Sequence, residues 1–277
     1  MNEETRVDIP IALTGRYITQ VTKEKGGRHY ELDGAKYDSV TSLIGNTIRA
    51  FGVEKWRADW ISNQLDTHNG RKLTKSLANE ILTASDKELK ASASIGTHMH
   101  NIIERLLKDE DVNDIPEQLE PAVQAWLKWR RQHIEWELVG NEVGIWGKHN
   151  DIYYAGQVDA LFRKPKSGLG NEYMVVDWKT SSGLFDTSFL QVAAYAHALR
   201  SMKGQVHDML DSISAMVVRL VGDYPKDENN KKIRTEPKIF NGKVQYAQVD
   251  VLHWSSVFLH LLDVHEGKKK YVKRTTL

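Results

Sequence analysis

The sequence predicts an α/β fold, a mixed central sheet flanked by helices. Three observations carry this. Apolar residues recur at helical spacing through residues 53–134. The period then changes to two over successive strand-like runs from residue 135. An Ala-rich helix and a further buried strand follow, an order that favours a sheet covered by helices.

In chain order, residues 16–48 read as β-rich. Tyr17–Val21 and Arg28–Leu32 flank the turn Gly26-Gly27, and a second turn, Asp33-Gly34, precedes Lys36–Ile44. Val53, Trp56, Trp60, Ile61 and Leu65 mark a helix that Asn69-Gly70 ends, and residues 74–90 read as another. Ser94-Ile95-Gly96-Thr97 opens a stronger helix with Met99, Ile102, Ile103, Leu106 and Leu107 on one side. The acidic stretch 109–116 is a loop, and residues 117–134 form a helix that includes Trp126 and Trp129. Strands are expected from Trp136 to Trp146, Tyr153 to Arg163 and Tyr173 to Thr180. A helix from Thr187 to Met202 follows, then a strand from Ser212 to Val221, a polar mobile loop over 223–238, a short strand from Tyr246 to Val251, and a last helix over 253–266. A basic tail, Lys268 to Arg274, comes after it.

Composition narrows the chemistry. The 277 residues are 40% hydrophobic and 27% charged, ordinary globular usage. No stretch approaches the ~20 consecutive apolar residues of a spanning helix, so no membrane association is expected. The acidic N-terminus MNEETRVDIP argues against a secretory signal or a transit peptide, which makes a cytoplasmic, non-secreted protein the expectation. The absence of Cys removes disulfides, thiolate zinc sites, thiol nucleophiles and cysteine-held iron–sulfur clusters. A net charge of +1 does not advertise a nucleic-acid binder. No phosphate-binding loop of the Gly-x-x-x-x-Gly-Lys type is present, nor His-Glu-x-x-His, nor Gly-x-Ser-x-Gly. A nucleotide-driven motor, a zinc protease and a serine hydrolase are therefore set aside.

The informative region is 153–200. Alternation along Tyr173-Met174-Val175-Val176-Asp177-Trp178-Lys179-Thr180 puts Asp177 and Lys179 on one face at the end of an apolar strand. The preceding strand holds Gly156-Gln157-Val158-Asp159. Paired as a hairpin around 164–172, the two strands bring Asp159 and Asp177 to one edge. Two partly buried carboxylates repel, and a hard divalent cation relieves that cost. Such an ion polarises a phosphate and lowers the pKa of a bound water, and a neighbouring lysine stabilises developing charge. An isolated Asp-Xaa-Lys reads more often as strand-end acids with a salt-bridge lysine. Gln191 and Tyr195, four apart, share a helix face.

Taken in order, Gly156-x-x-Asp159, Asp177-Trp178-Lys179-Thr180-Ser181 and Gln191-x-x-x-Tyr195 resemble the PD-(D/E)XK nuclease superfamily, in its RecB-type branch. Gly96-Thr97-His98-Met99-His100 resembles that branch's histidine-bearing helix, with His100 at the matching position. Tyr37-Asp38-Ser39-Val40-Thr41 resembles the N-terminal segment of phage exonucleases and of the mitochondrial genome maintenance exonuclease. The resemblance implies a restriction-endonuclease-like fold with a β-rich N-terminal arm (1–52), an added helical region (53–134) and a nuclease core (135–277). It implies one or two Mg2+ or Mn2+ ions held by His100, Asp159, Asp177 and the backbone carbonyl of Trp178, with Lys179 catalytic. Gln191 and Tyr195 would border the site, orienting the lysine or contacting DNA, with Thr180 and Ser181 as further DNA contacts. Glu104 would support His100, or serve as a surface ion-pair partner, and Glu142 would place an acid near the metal, a position for which Glu135 and Glu137 compete.

The implied activity is hydrolysis of DNA phosphodiesters, as an exonuclease on single strands or end-containing duplex in recombination, repair or replication. Partners there would be recombination or replication proteins, in a bacterial or phage-infected cytoplasm. A structure- or sequence-specific endonuclease and a catalytically silent DNA-binding scaffold are the alternatives. Trp56 and Trp60 suit either base stacking or core packing.

Overall fold

The period-two segments join into one mixed sheet in the computed structural model, which describes residues 4–23, 27–48, 51–68, 70, 72–166, 170–202, 210–228, 230, 232 and 238–271. An antiparallel meander opens it: β1 (Glu4–Pro10), β2 (Tyr17–Lys23), β3 (Gly27–Leu32) and β4 (Ala35–Ser39). The core strands follow as β5 (Glu137–His149), β6 (Ile152–Lys166), β7 (Gly170–Lys179), β8 (Leu210–Asp223) and β9 (Ile239–Val249). β5, β6 and β7 pair antiparallel, β8 runs parallel to β7, and β9 returns antiparallel. β4 meets β6 in parallel through Asp38–Tyr154 and Ser39–Ala155, which welds the meander to the core.

The helices are α1 (Val40–Thr47), α2 (Phe51–Thr67), α3 (Lys75–Leu107), α4 (Glu120–Gln132), α5 (Asp186–Ser201) and α6 (Val251–Tyr271). Among the described residues, no helix is long and apolar enough to cross a membrane. The tail beyond Tyr271 and the side chains of residues 268–271 lie outside the described residues, as do Gly26, Asn69 and the Trp56 side chain.

Alternation decides which helices cover which face. Tyr173 and Val175 of β7 join a core with Val192, Leu199, Phe258 and Leu262 from α5 and α6. Met174, Val176 and Trp178 join the opposite core with Met99, Ile103, Trp126 and Trp129 from α3 and α4. Small residues let α5 lie close to the sheet, since Ala193, Ala194, Ala196 and Ala198 are all fully buried.

The structure departs from the sequence reading at three places. β-structure stops at Ser39, and Val40, Leu43 and Ile44 bury one helical face of α1 instead of extending a strand. The helices expected at 74–90 and 94–107 are one 33-residue helix, because Ala91-Ser92-Ala93 between them holds two strong helix formers and no proline. β8 runs on to Asp223, the first residue of the expected loop, and β9 starts at Ile239, seven residues before the strand expected at Tyr246.

Gly144 of β5 lies under the meander, where its carbonyl accepts from Ala12 N at 3.0 Å. A Cβ there would sit 2.6 Å from Ile18 Cγ2 and 3.4 Å from Ile9 Cγ2, and Ile18 is wholly buried. Gly144→Ala should therefore overpack the seam by about 1–3 kcal/mol. Thermal unfolding should show Tm lowered by roughly 3–10 °C; an unchanged Tm would mean that the meander does not pack on β5.

Candidate active site

The hairpin of β6 and β7 sets Asp159 beside the end of β7, with Ala160 opposite Val176. Trp178 N donates to Asp159 Oδ2 at 2.8 Å. α3 passes the same point, where His100 Nε2 lies 2.9 Å from the Trp178 carbonyl and Nδ1 lies 3.5 Å from Asp159 Oδ2. The Trp178 backbone is thus gripped by Asp159 on its N–H and by the imidazole on its carbonyl oxygen. Its indole points to the other face of the sheet, edge-on to Trp126 and Trp129 at 5.9 and 5.3 Å.

Asp177 and Lys179 share the face opposite Trp178, as alternation requires. Lys179 Nζ lies 2.9 Å from Asp177 Oδ1 and 2.7 Å from Oδ2, and donates to Gln191 Oε1 at 3.3 Å. Gln191 Nε2 donates to Asp177 Oδ1 at 3.0 Å and to the Tyr195 hydroxyl at 3.1 Å. Tyr195 is buried against Gly156, where a Cβ would fall inside the van der Waals radius of its ring. The glycine of Gly156-x-x-Asp159 is therefore the space that Tyr195 occupies.

Glu142 stands opposite Asp159, between the pairs Asn141–Ala160 and Val143–Val158. Its φ of 51° is left-handed, an unusual state for a glutamate that costs of order 1 kcal/mol. Gln157 Nε2 holds that backbone by donating to Glu142 O at 3.2 Å, and Gln20 Nε2 from β2 donates to Gln157 Oε1 at 3.2 Å. Oxygen or ring-nitrogen atoms of His100, Glu142 and Asp159 lie within 4.8 Å of one another. Asp177 lines the same cavity, of about 510 Å³.

Other expected residues sit at its margin or away from it. Glu104 lines the cavity and accepts from Lys108 Nζ at 2.7 Å. Thr180 and Ser181 follow Lys179 with their carbonyls tied down, Thr180 O by Lys238 Nζ at 3.2 Å and Ser181 O by Arg219 Nε at 2.7 Å. His98 is exposed, away from His100. Glu135 and Glu137 pair with Lys164 and Arg163. Trp60 is buried. Arg28 and Thr41, from β3 and α1, also line the cavity. Arg28 escaped sequence reading, because it lies more than a hundred residues before Asp159 in the chain, whereas Thr41 closes the Tyr37–Thr41 run, to which no site role was given. Gln157 had a signal, since it lies inside the Gly156–Asp159 run.

Burial, then the charges of Asp159, Glu104 and Asp177, push Glu142 up to about 8. Burial and then Asp177 raise Asp159 above the usual carboxylate range, against His100 and Lys179. Burial pulls Lys179 down, but Asp177 and Asp159 outweigh it and the ammonium is held above its ordinary value. Buried Asp177 Oδ2 meets the Lys179 ammonium at 2.7 Å but accepts no other contact among the described residues. Three carboxylates on one cavity, two of them driven toward protonation, and one imidazole fit a hard divalent cation with oxygen-rich ligation.

The chain matches the PD-(D/E)XK nuclease superfamily over residues 112–267, more than half its length, and belongs to that superfamily. The mixed sheet flanked by helices is its restriction-endonuclease-like fold. Membership implies metal-dependent nuclease chemistry, the hydrolysis of phosphodiesters with DNA as substrate. No curated protein matches the chain. Of 11 solved chains that do, one is described as the crystal structure of SSO0001. It is 11% identical, with 84% of this chain and 79% of that chain covered and a TM-score of 0.36.

Glu142 gives the site a measurable pH signature. Its folded form keeps a proton that the unfolded chain releases above 4.5, so its contribution is complete below 4.5 and lost as pH rises toward about 8. In metal-free protein, Glu142→Gln should gain Tm relative to wild type across that window and match it at the acid end. Added divalent cation should stabilise wild type more than the variant at the alkaline end. Parallel Tm curves at every pH would show Glu142 to be solvated and outside the cluster.

Proposed function

We propose that the protein is a Mg2+- or Mn2+-dependent deoxyribonuclease that acts as an exonuclease on DNA ends or single strands. The observation that carries this reading is one cavity holding His100, Glu142 and Asp159 within ligand distance beside the Asp177–Lys179 pair. His100, Asp159, Asp177, Glu142 and the Trp178 carbonyl would hold the cation. When bound, it supplies Lewis acidity and a lowered pKa for water.

The chain's own groups do the rest. Lys179, kept charged by Asp177 and Asp159, donates hydrogen bonds and offsets negative charge at the phosphate, so electrostatic stabilisation suits it better than proton abstraction. Gln191 fixes both partners of that pair through its two amide ends. Tyr195 is held above its ordinary phenol value by burial and stays a neutral hydroxyl that orients Gln191. Asp159 keeps the Trp178 carbonyl turned toward His100 by holding the N–H of the same residue.

Walls drawn from separate elements of the fold support a requirement for a free end. β3 and α1 contribute one through Arg28 and Thr41, and α3 contributes another through Ala93, Gly96 and Thr97. A strand entering between them would thread by its terminus. Work of this kind belongs to recombination, repair or replication, with proteins of those processes as partners in a cytoplasm.

With Mg2+ or Mn2+, end-labelled linear DNA should be degraded, closed circles should survive, and EDTA should stop the reaction. Nicking of circles would make the enzyme an endonuclease, and metal-independent binding without cleavage would make it a scaffold. Asp177→Ala and Lys179→Ala should each lower cleavage by about 10²-fold or more with DNA binding largely kept. Wild-type rates in both would displace the site.

A further inference from the structure

We propose that Arg28 forms a phosphate subsite at the mouth of the cavity, gripping a DNA phosphate next to the one that is cut. The inference rests on the nuclease reading of the cavity and adds a residue from the N-terminal meander to it. Arg28 is exposed on β3, yet it lines the cavity together with Glu104, Glu142, Asp159 and Asp177. An acidic cavity repels a polyanion wherever no cation intervenes. Lys179 is already committed to Asp177 and Gln191. Arg28 is the other fixed cation on the wall among the described residues.

The other arginines of the meander show what is unusual about it. Arg6 is neutralised by Glu4 and Glu31, and Arg16 by Asp33. Arg28 has no carboxylate partner among the described residues, and its polar neighbour is the uncharged hydroxyl of buried Tyr30. A guanidinium hydrogen-bonded to one hydroxyl and no carboxylate keeps further donors, and facing a site for phosphodiesters these match phosphate oxygens. Thr41 adds a hydroxyl on the same wall. β2 and β3 pair from Thr19–Glu31 to Lys23–Gly27, so the side chain is mounted on a hydrogen-bonded ribbon.

The phosphate is either terminal or internal, and substrate chemistry separates the two. Steady-state cleavage would use oligonucleotides ending in a 5′-phosphate or a 5′-hydroxyl, and others with one neutral methylphosphonate at successive internal positions. In wild type, neutralising the gripped phosphate should raise KM roughly 10- to 100-fold with a much smaller change in kcat. Arg28→Ala should raise KM by a similar factor on unmodified DNA and be indifferent to that one substitution. An effect at the end group marks a terminal subsite, and an effect at one internal position marks an internal one. Wild-type KM in Arg28→Ala, or full additivity with every substitution, overturns the subsite and leaves the nuclease reading standing.

Absence of cleavage by wild type with either metal would sink the nuclease reading instead, and the subsite would then be read by binding alone. The slope of log K against log salt should fall by about 0.7–0.9 in Arg28→Ala and be retained by Arg28→Lys. An unchanged slope in Arg28→Ala, or a slope in Arg28→Lys as low as in the alanine variant, overturns the subsite. Exposure of Arg28 makes both variants foldable, which an unchanged Tm would verify.

Discussion

Three carboxylates, those of Glu142, Asp159 and Asp177, line one cavity with Glu104 at its margin, and much of the surrounding architecture answers the repulsion between them. The medium there screens charge poorly, so burial and proximity raise the cost of ionising Glu142 and Asp159. The fold answers differently at each. Asp177 receives an ammonium and an amide, Asp159 a backbone N–H, and Glu142 only a proton or a cation. The acid left without a compensating donor is also the one whose backbone is strained into the left-handed region. Strain and electrostatic cost at the same residue are tolerable only when the surrounding structure fixes them, and Gln20 and Gln157 supply that fixing from two strands.

That constraint explains why the apolar residue of Asp177-Trp178-Lys179 is large. A strand end carrying two ionised groups on one face needs an anchor on the other, or it would swing toward solvent. Trp178 provides it, wedged between Trp126 and Trp129, while its peptide group faces Asp159 and His100. One residue therefore ties the aromatic core to the polar cluster. Packing of α4 is coupled in this way to the position of a carbonyl in the site.

Much of this was legible in the sequence, because the signals are short-range. Alternation along Tyr173–Lys179 suffices to set Asp177 and Lys179 on one face, and four-residue spacing suffices for Gln191 and Tyr195. The limits of legibility are physical as well. Val40–Ile44 carries β-branched and apolar residues that suit a strand, and only tertiary burial of Val40, Leu43 and Ile44 turns it into a helix. β1, with exposed side chains at most positions, has too little apolar alternation to announce a strand and exists through its register with β2. Glu142 competed with Glu135 and Glu137 on equal terms, because a bulge earlier in β5, between Leu138 and Gly140, shifts the register on which strand counting depends. Arg28 gave no sign, since its meaning depends on a cavity built by residues far along the chain.

The separate motifs are one mechanical object. Gly156 lacks the Cβ that would displace Tyr195, whose hydroxyl accepts from the Gln191 amide. The same amide group holds Asp177, and its oxygen accepts from Lys179. Trp178, between those two residues, donates its N–H to Asp159 and presents its carbonyl oxygen to His100. Followed in this order, every contact positions the next group, and Asp159 lies three residues after Gly156 on the same strand, which closes the circuit. A closed circuit of short polar contacts has few soft degrees of freedom, so a change at the glycine is transmitted to the lysine without any direct contact between them. Order of the motifs along the chain is then a consequence of geometry: a hairpin to juxtapose the acids, followed by a helix that crosses back over its own glycine.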